Sequence, residues 1–297
     1  MTEYSATTTG NTTENAWGPI VQVALEQRFP PEQRITQDPL AYPFLPAYLR
    51  LIVKVGGTSP LRELLLGLID RQVPGVRGGV LCRKRAIDDR LLVALKQGMD
   101  DVVNLGAGMD TRACRMPPGY VIPIYEVDLP NTIMAKAATL RRVLGGLPVH
   151  LHLVTADLER QDIGPALQVA GYTPGRKVFF IMEGVSQYVT EAAVRQALEV
   201  TRSAGPGSRL AFTYIRRGFL EGRELYDLEV LYRQTRMRKS IWRFGLNPED
   251  VAGFLDDYGW REVEHLGSAE YQTRYVRPTG RNMPVMAIEQ FVYAERV

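Results

Sequence analysis

The sequence predicts an α/β protein, a mostly parallel seven-stranded sheet covered by helices on both faces and preceded by a helical segment. Three observations carry this. From Asp101 onward, short apolar runs alternate with amphipathic helical stretches, the rhythm of parallel strands joined by helical crossovers. Several of those runs, VFFIM above all, are apolar at every position, as strands buried on both faces are. The run DVVNLGAGMDTR at 101–112 passes straight into a glycine turn, a junction that brings backbone close to a nucleotide.

Each element follows from its own pattern. Residues 1–15 are polar and Thr-rich and are expected to form a mobile tail. Residues 16–100 form a helical cap segment, punctuated by Pro30-Pro31, Pro39, Pro43 and Pro46, with an apolar helix from Leu61 to Ile69. Gly75, Gly78 and Gly79 are expected to interrupt it before a helix from Arg83 to Gln97 that stops at Gly98. The domain 101–297 then begins. Its first strand is VVNL, its second VIPIYEVD (121–128), its third HLHLVTAD (150–157), its fourth KVFFIME (177–183) and its fifth RLAFTYI (209–215). Between them lie a helix from Thr132 to Leu144, ended by Gly145-Gly146, and one that starts at Thr190 and stops at Gly205. A late helix has Asn247 as N-cap and Pro248 at its first position. Two strands around WREVEHL and MAIEQFVYAE close the chain as a hairpin-like pair.

Bulk properties narrow the function. At 45% hydrophobic and 23% charged the chain has the make-up of a globular protein able to bury a full core. A net charge of +3 gives no concentrated basic stripe for nucleic acid. Two cysteines, Cys82 and Cys114, supply neither a disulfide framework nor a metal-ligand spacing, so no metal is expected and a reducing cytoplasm is the expected location. No signal peptide and no membrane-spanning run is evident, so no membrane partner is expected.

The glycine turn selects among nucleotides. A dinucleotide fold wants G-x-G-x-x-G, but the third glycine here is Thr111, and Asp110 sets a negative charge where a pyrophosphate would be repelled. None of the 14 tyrosines has a lysine four residues on, and no P-loop is present. A nicotinamide-dependent oxidoreductase is therefore disfavoured. A nucleoside without phosphates fits better. Asp128, twenty residues after Gly108, ends the second strand at the spacing where a carboxylate meets ribose hydroxyls. Asp157 and Glu183 end the third and fourth strands, so a glycine turn and three acids occupy successive strand ends. S-adenosyl-L-methionine, with its adenine, ribose and methionine tail, suits that set.

LGAGMDTR, YEVDLP, ADL and MEGVSQYVT, with RKRAIDDRL ahead of them, resemble the leucine carboxyl methyltransferase-like family, in particular its bacterial branch of small-molecule and polyketide O-methyltransferases. The resemblance is strong over roughly 80–200. It implies a Rossmann-like class I methyltransferase fold and S-adenosyl-L-methionine as cofactor. Arg83, with Arg85 as the alternative, would pair with the methionine carboxylate, and Gly106 and Gly108 would line the tail. Asp128 would take the ribose hydroxyls, Asp157 and Leu158 would frame the adenine, and Glu183 would face the amino group. The chain has Thr111-Arg112-Ala113 where members that methylate protein phosphatases carry an aromatic, so a protein C-terminus is not the expected acceptor.

The acceptor is expected to be a small molecule. Only three histidines occur, His150 and His152 at the start of the third strand and His265 late in the sixth. A carboxylate needs no base at neutral pH, whereas a phenol does. This scarcity points to carboxylate methylation of a polyketide or aromatic acid in secondary metabolism, with hydroxyl methylation as the alternative and a non-catalytic binding scaffold as a third. Residues 216–246, rich in aromatics and arginines, read as an insertion, either a lid over an aromatic acid or an amphipathic helix with a solvated basic face. Tyr188, Tyr214 and Arg216, which follow the fourth and fifth strands, are the substrate-side candidates. The sequence names no catalytic residue.

Overall fold

The structure, a computed structural model, describes residues 9–57, 61–237 and 242–297. Seven strands form one sheet: β1 (Asp101–Leu105), β2 (Ile124–Asp128), β3 (Leu151–Thr155), β4 (Val178–Met182), β5 (Arg209–Ile215), β6 (Trp260–Leu266) and β7 (Glu289–Arg296). Their order is β3-β2-β1-β4-β5-β7-β6. The first five run parallel, and β7 lies antiparallel between β5 and β6. The order reverses between β1 and β4, and in open parallel sheets ligands bind at that switch, beyond the carboxyl ends of the strands.

Alternation along each strand builds two cores. Val102, Ile124, Leu151, Phe179, Ile181 and Phe291 face the N-terminal helices, among them Thr9–Glu26 and Val76–Lys96. Val103, Tyr125, Val127, Phe180, Met182 and Phe212 face the other side, against helices Ile163–Val169, Glu191–Thr201 and Val251–Asp256. Each large side chain buried this way contributes roughly 1.5–3 kcal/mol. Helical crossovers on both faces are the reason the strands read as apolar throughout.

Several expectations are adjusted. The second strand begins at Ile124, because Pro123 can give the ladder no N–H. Helix Pro130–Leu144 starts two residues before Thr132, with Pro130 where a missing N–H costs nothing. Residues 9–15 of the expected tail belong to helix Thr9–Glu26, and residues 1–8 lie outside the described residues. Gly78 and Gly79 do not interrupt a helix. Helix Val76–Lys96 runs through both, and a Cβ on Gly78 would lie 2.2 Å from the Pro284 carbonyl oxygen. These glycines admit the C-terminal segment against the helix. Asn247 makes no side-chain cap; a 3₁₀ turn at Pro248–Asp250 leads into helix Val251–Asp256. The long connection between β6 and β7 holds helix Ser268–Tyr271, a π turn at Gln272–Val276 and a 3₁₀ turn at Arg277–Thr279. No helix among the described residues is long and apolar enough to cross a membrane.

Candidate cofactor site

A cavity of about 1100 Å³ opens at the carboxyl ends of β1 to β4. Its floor is the β1 turn. Gly106 has φ +72° and Gly108 φ +50°, conformations that favour glycine. A Cβ on Gly106 would lie 2.3 Å from Val185 Cγ2, so the turn and the loop after β4 touch in a way only glycine permits. Ala16, Pro19, Ile20 and Val23 of helix Thr9–Glu26 close the opposite wall.

All seven residues expected to hold the cofactor, Arg83, Gly106, Gly108, Asp128, Asp157, Leu158 and Glu183, line this one cavity. Asp128 ends β2 and accepts the Gly108 N–H on Oδ2 and its neighbour Leu129 N–H on Oδ1, both at 2.7 Å. That carboxylate therefore fixes the glycine turn as well as facing the cavity. Asp157 accepts the Glu159 N–H at 2.9 Å, and Leu158 is buried beside it.

Beneath the cavity lies a buried ionic cluster. Glu183 accepts from Arg83 Nε at 3.0 Å and from Arg112 Nη1 at 2.7 Å, and lies 3.3 Å from Lys84 Nζ. Burial alone would raise the Glu183 carboxyl, but Lys84, Arg112 and Arg83 together hold it down at about 2. Asp110 is likewise buried and held well below the usual carboxylate range, against its own desolvation, by Arg112 and Lys84. The charge expected to repel a pyrophosphate is thus consumed by Arg112, which also bonds Asp88 at 2.5 Å. Arg85 points the other way and pairs with Asp89 at the surface, so Arg83 and not Arg85 faces the cavity.

Of the substrate-side candidates, only Tyr188 lines the cavity. Tyr214 is fully buried in the opposite core, its hydroxyl 3.0 Å from His265 Nε2, and Arg216 bonds the Tyr226 hydroxyl. Neither lies at the cavity. A strand's side chains alternate, and Tyr214 falls on the face turned away from the cap, while the chain bends at Arg216 to meet Leu246. The expected lid is also reshaped. Phe219 and Phe244 are buried in the protein core, and of the described residues of 216–246 only Arg243 reaches the cavity. Residues 238–241 lie outside the described residues.

Sequence reasoning missed Asp38, Lys84 and Thr111, which line the cavity. Thr111 donates to Asp38 at 2.5 Å, tying the turn to the cap. Lys84 was legible as the neighbour of Arg83; Asp38 had no motif to mark it.

The residues fit S-adenosyl-L-methionine. The cavity exceeds the ~300–1,000 Å³ typical of small-molecule sites, leaving room for a second molecule. Its donor set offers a carboxylate for ribose hydroxyls (Asp128), a turn without side chains for the tail (Gly106, Gly108), and cation beside anion (Arg83, Glu183) for an amino acid's two charges.

Comparison with known proteins agrees. The Leucine carboxyl methyltransferase family profile matches residues 16–201. A candidate S-adenosyl-L-methionine-dependent methyltransferase of Parafrankia is 34% identical over 72% of this chain and 67% of its own. One from Streptomyces avermitilis is 30% identical over 88% of each chain. A candidate methyltransferase of Thermobifida fusca, 14% identical, shares the fold with a TM-score of 0.55 over 81% of this chain and 90% of its own. Fold and site define a class I S-adenosyl-L-methionine-dependent methyltransferase. The chain belongs to the leucine carboxyl methyltransferase family.

Proposed function

We propose that the enzyme methylates a carboxylate oxygen of a small, partly apolar acid, giving a methyl ester. The observation that supports this is the cavity lining, which among the described residues contains no histidine and no carboxylate free of a hydrogen-bond donor. None of the three histidines is part of it: His150 bonds the Ala113 carbonyl, His152 stacks on Tyr125, and His265 meets Tyr214. Its carboxylates Asp38, Asp110, Asp128, Asp157, Glu159 and Glu183 all accept hydrogen bonds already. A phenol near pKa 10 would have a steep climb to give its proton to Glu183, which Lys84, Arg112 and Arg83 hold well below the usual carboxylate range. An acid already ionised at neutral pH avoids that climb.

Bound S-adenosyl-L-methionine supplies an electrophilic methyl group on a sulfonium. Asp128 would hold its ribose, Asp157 and Leu158 its adenine, and Arg83 with Glu183 its methionine tail. The protein's contribution beyond binding is to hold the acceptor in line and to keep water out, which can supply much of the acceleration. Pro19, Ile20, Val23 and Val189 offer an apolar wall for the body of the acid. Arg243, paired with Glu159 at 2.9 Å, and Arg160 offer charge for its carboxylate end.

The test is incubation with methyl-labelled S-adenosyl-L-methionine and matched aromatic acids and phenols. Ester product releases labelled methanol in mild alkali; an ether does not. Alkali-stable label, made from the phenols alone, would sink the proposal. In the supporting outcome, Arg243→Leu raises the KM for the acid and leaves the KM for S-adenosyl-L-methionine unchanged.

A further inference from the structure

Arg83 is held from two directions. Its Nε donates to Glu183 at the end of β4, and its Nη1 donates to Glu289 Oε1 at 2.5 Å, on the first residue of β7. Glu289 lies 206 residues along the chain from Arg83, is nine-tenths or more buried, and does not line the cavity. No motif marks it.

Gly79, one turn before Arg83 on the same helix, lies beside Glu289, whose Oε2 would be only in ordinary contact, 3.6 Å, with a Cβ there. Gly184, with φ +66°, lets the guanidinium lie flat against backbone, since a Cβ there would come within 2.9 Å of Arg83 Nη2. Burial alone would make Arg83 less basic, but Glu289 and Glu183 outweigh it and fix the charge. With Nε and Nη1 committed, Nη2, which lies against Gly184 of the cavity lining, is the nitrogen left to meet an anion. An arginine binds a carboxylate well only when its planar fork is already aimed.

We infer that Glu289 is a positioning residue for the cofactor: it clamps Arg83 so that the guanidinium presents its Nη2 edge to the carboxylate of the methionine tail. The inference rests on Arg83 meeting that tail and is independent of what the acceptor is. Glu289 itself touches no ligand. The second carboxylate is what stops Arg83 from rotating onto Glu183 with both nitrogens and withdrawing from the cavity.

Calorimetric titration tests this without an acceptor, using two ligands. S-adenosylhomocysteine carries the amino-acid tail; 5′-methylthioadenosine has the same nucleoside and no carboxylate. Glu289→Ala should bind S-adenosylhomocysteine about tenfold more weakly, in the range seen when a supporting partner is removed from a ligand-binding side chain. Its affinity for 5′-methylthioadenosine should be that of the wild type. Glu289→Gln, which keeps an acceptor oxygen in place, should recover most of the loss. Should Glu289→Ala fail to fold, Glu289→Asp draws the acceptor back by one carbon while keeping the charge, and the same selective loss is expected. Equal weakening of both ligands would mean that Glu289 only supports the fold. An unchanged S-adenosylhomocysteine affinity overturns the clamp, and so does an Arg83→Met variant that binds S-adenosylhomocysteine like the wild type.

Discussion

Gly106→Ala should damage both stability and cofactor binding, by an amount the structure sets. Two costs add. At φ +72° an L-residue pays about 1–2 kcal/mol. The new methyl would also lie 2.3 Å from Val185 Cγ2 and 2.9 Å from Cγ1, where carbons prefer about 3.5–4.0 Å, so the loop after β4 must move by more than ~1 Å. Overpacking of that kind costs about 1–3 kcal/mol. The sum is about 2–5 kcal/mol. Unfolding entropy for a chain of this length is about 0.6 kcal/mol per kelvin, so the Tm should fall by about 3–8 °C. The β1 turn is anchored by the Gly106 and Ala107 N–H groups on the Val127 carbonyl, so any shift carries into the cavity floor. S-adenosylhomocysteine affinity should fall at least about tenfold, or ~1.4 kcal/mol. Val185→Ala in the same chain relieves the steric part and leaves the φ part, so a double-mutant cycle should show a favourable coupling of at least ~1 kcal/mol. A Gly106→Ala variant with unchanged Tm and affinity, or a cycle with no coupling, would refute the close-contact argument.

Three other outcomes follow from the same geometry. Asp128→Ala should weaken S-adenosylhomocysteine by at least ~1.4 kcal/mol, and by more than a lost ribose contact alone, because it also frees the Gly108 N–H; unchanged calorimetric affinity in a folded variant would contradict the β2 assignment. Tyr214→Phe should leave the KM for S-adenosyl-L-methionine unchanged and cost about 1 kcal/mol of stability through the lost His265 bond; a raised KM would put Tyr214 back at the site. Glu183 is held at about 2, below its ordinary 4.5, so its ionised form favours the folded state. That contribution is complete above pH 4.5 and disappears as pH falls toward 2, and a Glu183→Gln variant should show a shallower acid-unfolding curve over that window.

How much was legible follows from which interactions are local. β6, WREVEHL, matches its expected span because a glycine flanks each end, Gly259 before it and Gly267 after it. That the seven candidate residues would meet in one cavity was legible because a strand end places each acid and a glycine turn needs no partner to be recognised. Tyr214 and Arg216 lie away from the cavity because being next to a strand's end says nothing about which face a side chain takes. Gly78 and Gly79 failed for a related reason. A helix interior accepts glycine at roughly 1 kcal/mol when something must pass close by, and what passes here comes from more than two hundred residues away.

The same distance explains the ionic cluster. RKRAIDDRL reads as a solvated basic-acidic helix, and half of it is: Arg85 and Asp89 pair at the surface, one turn apart. Arg83, Lys84 and Asp88 turn inward instead, Arg83 buried and the other two half-buried. Burying charges costs several kcal/mol each unless partners repay it, so this face is stable only if Asp110, Arg112, Glu183 and Glu289 arrive together from β1, β4 and β7. The cluster is therefore a joint that only the completed sheet can make, and the cofactor cavity sits on top of it. Assembly of the sheet and alignment of Arg83 are then one event, since the last strand in the sequence carries the carboxylate that orients the guanidinium.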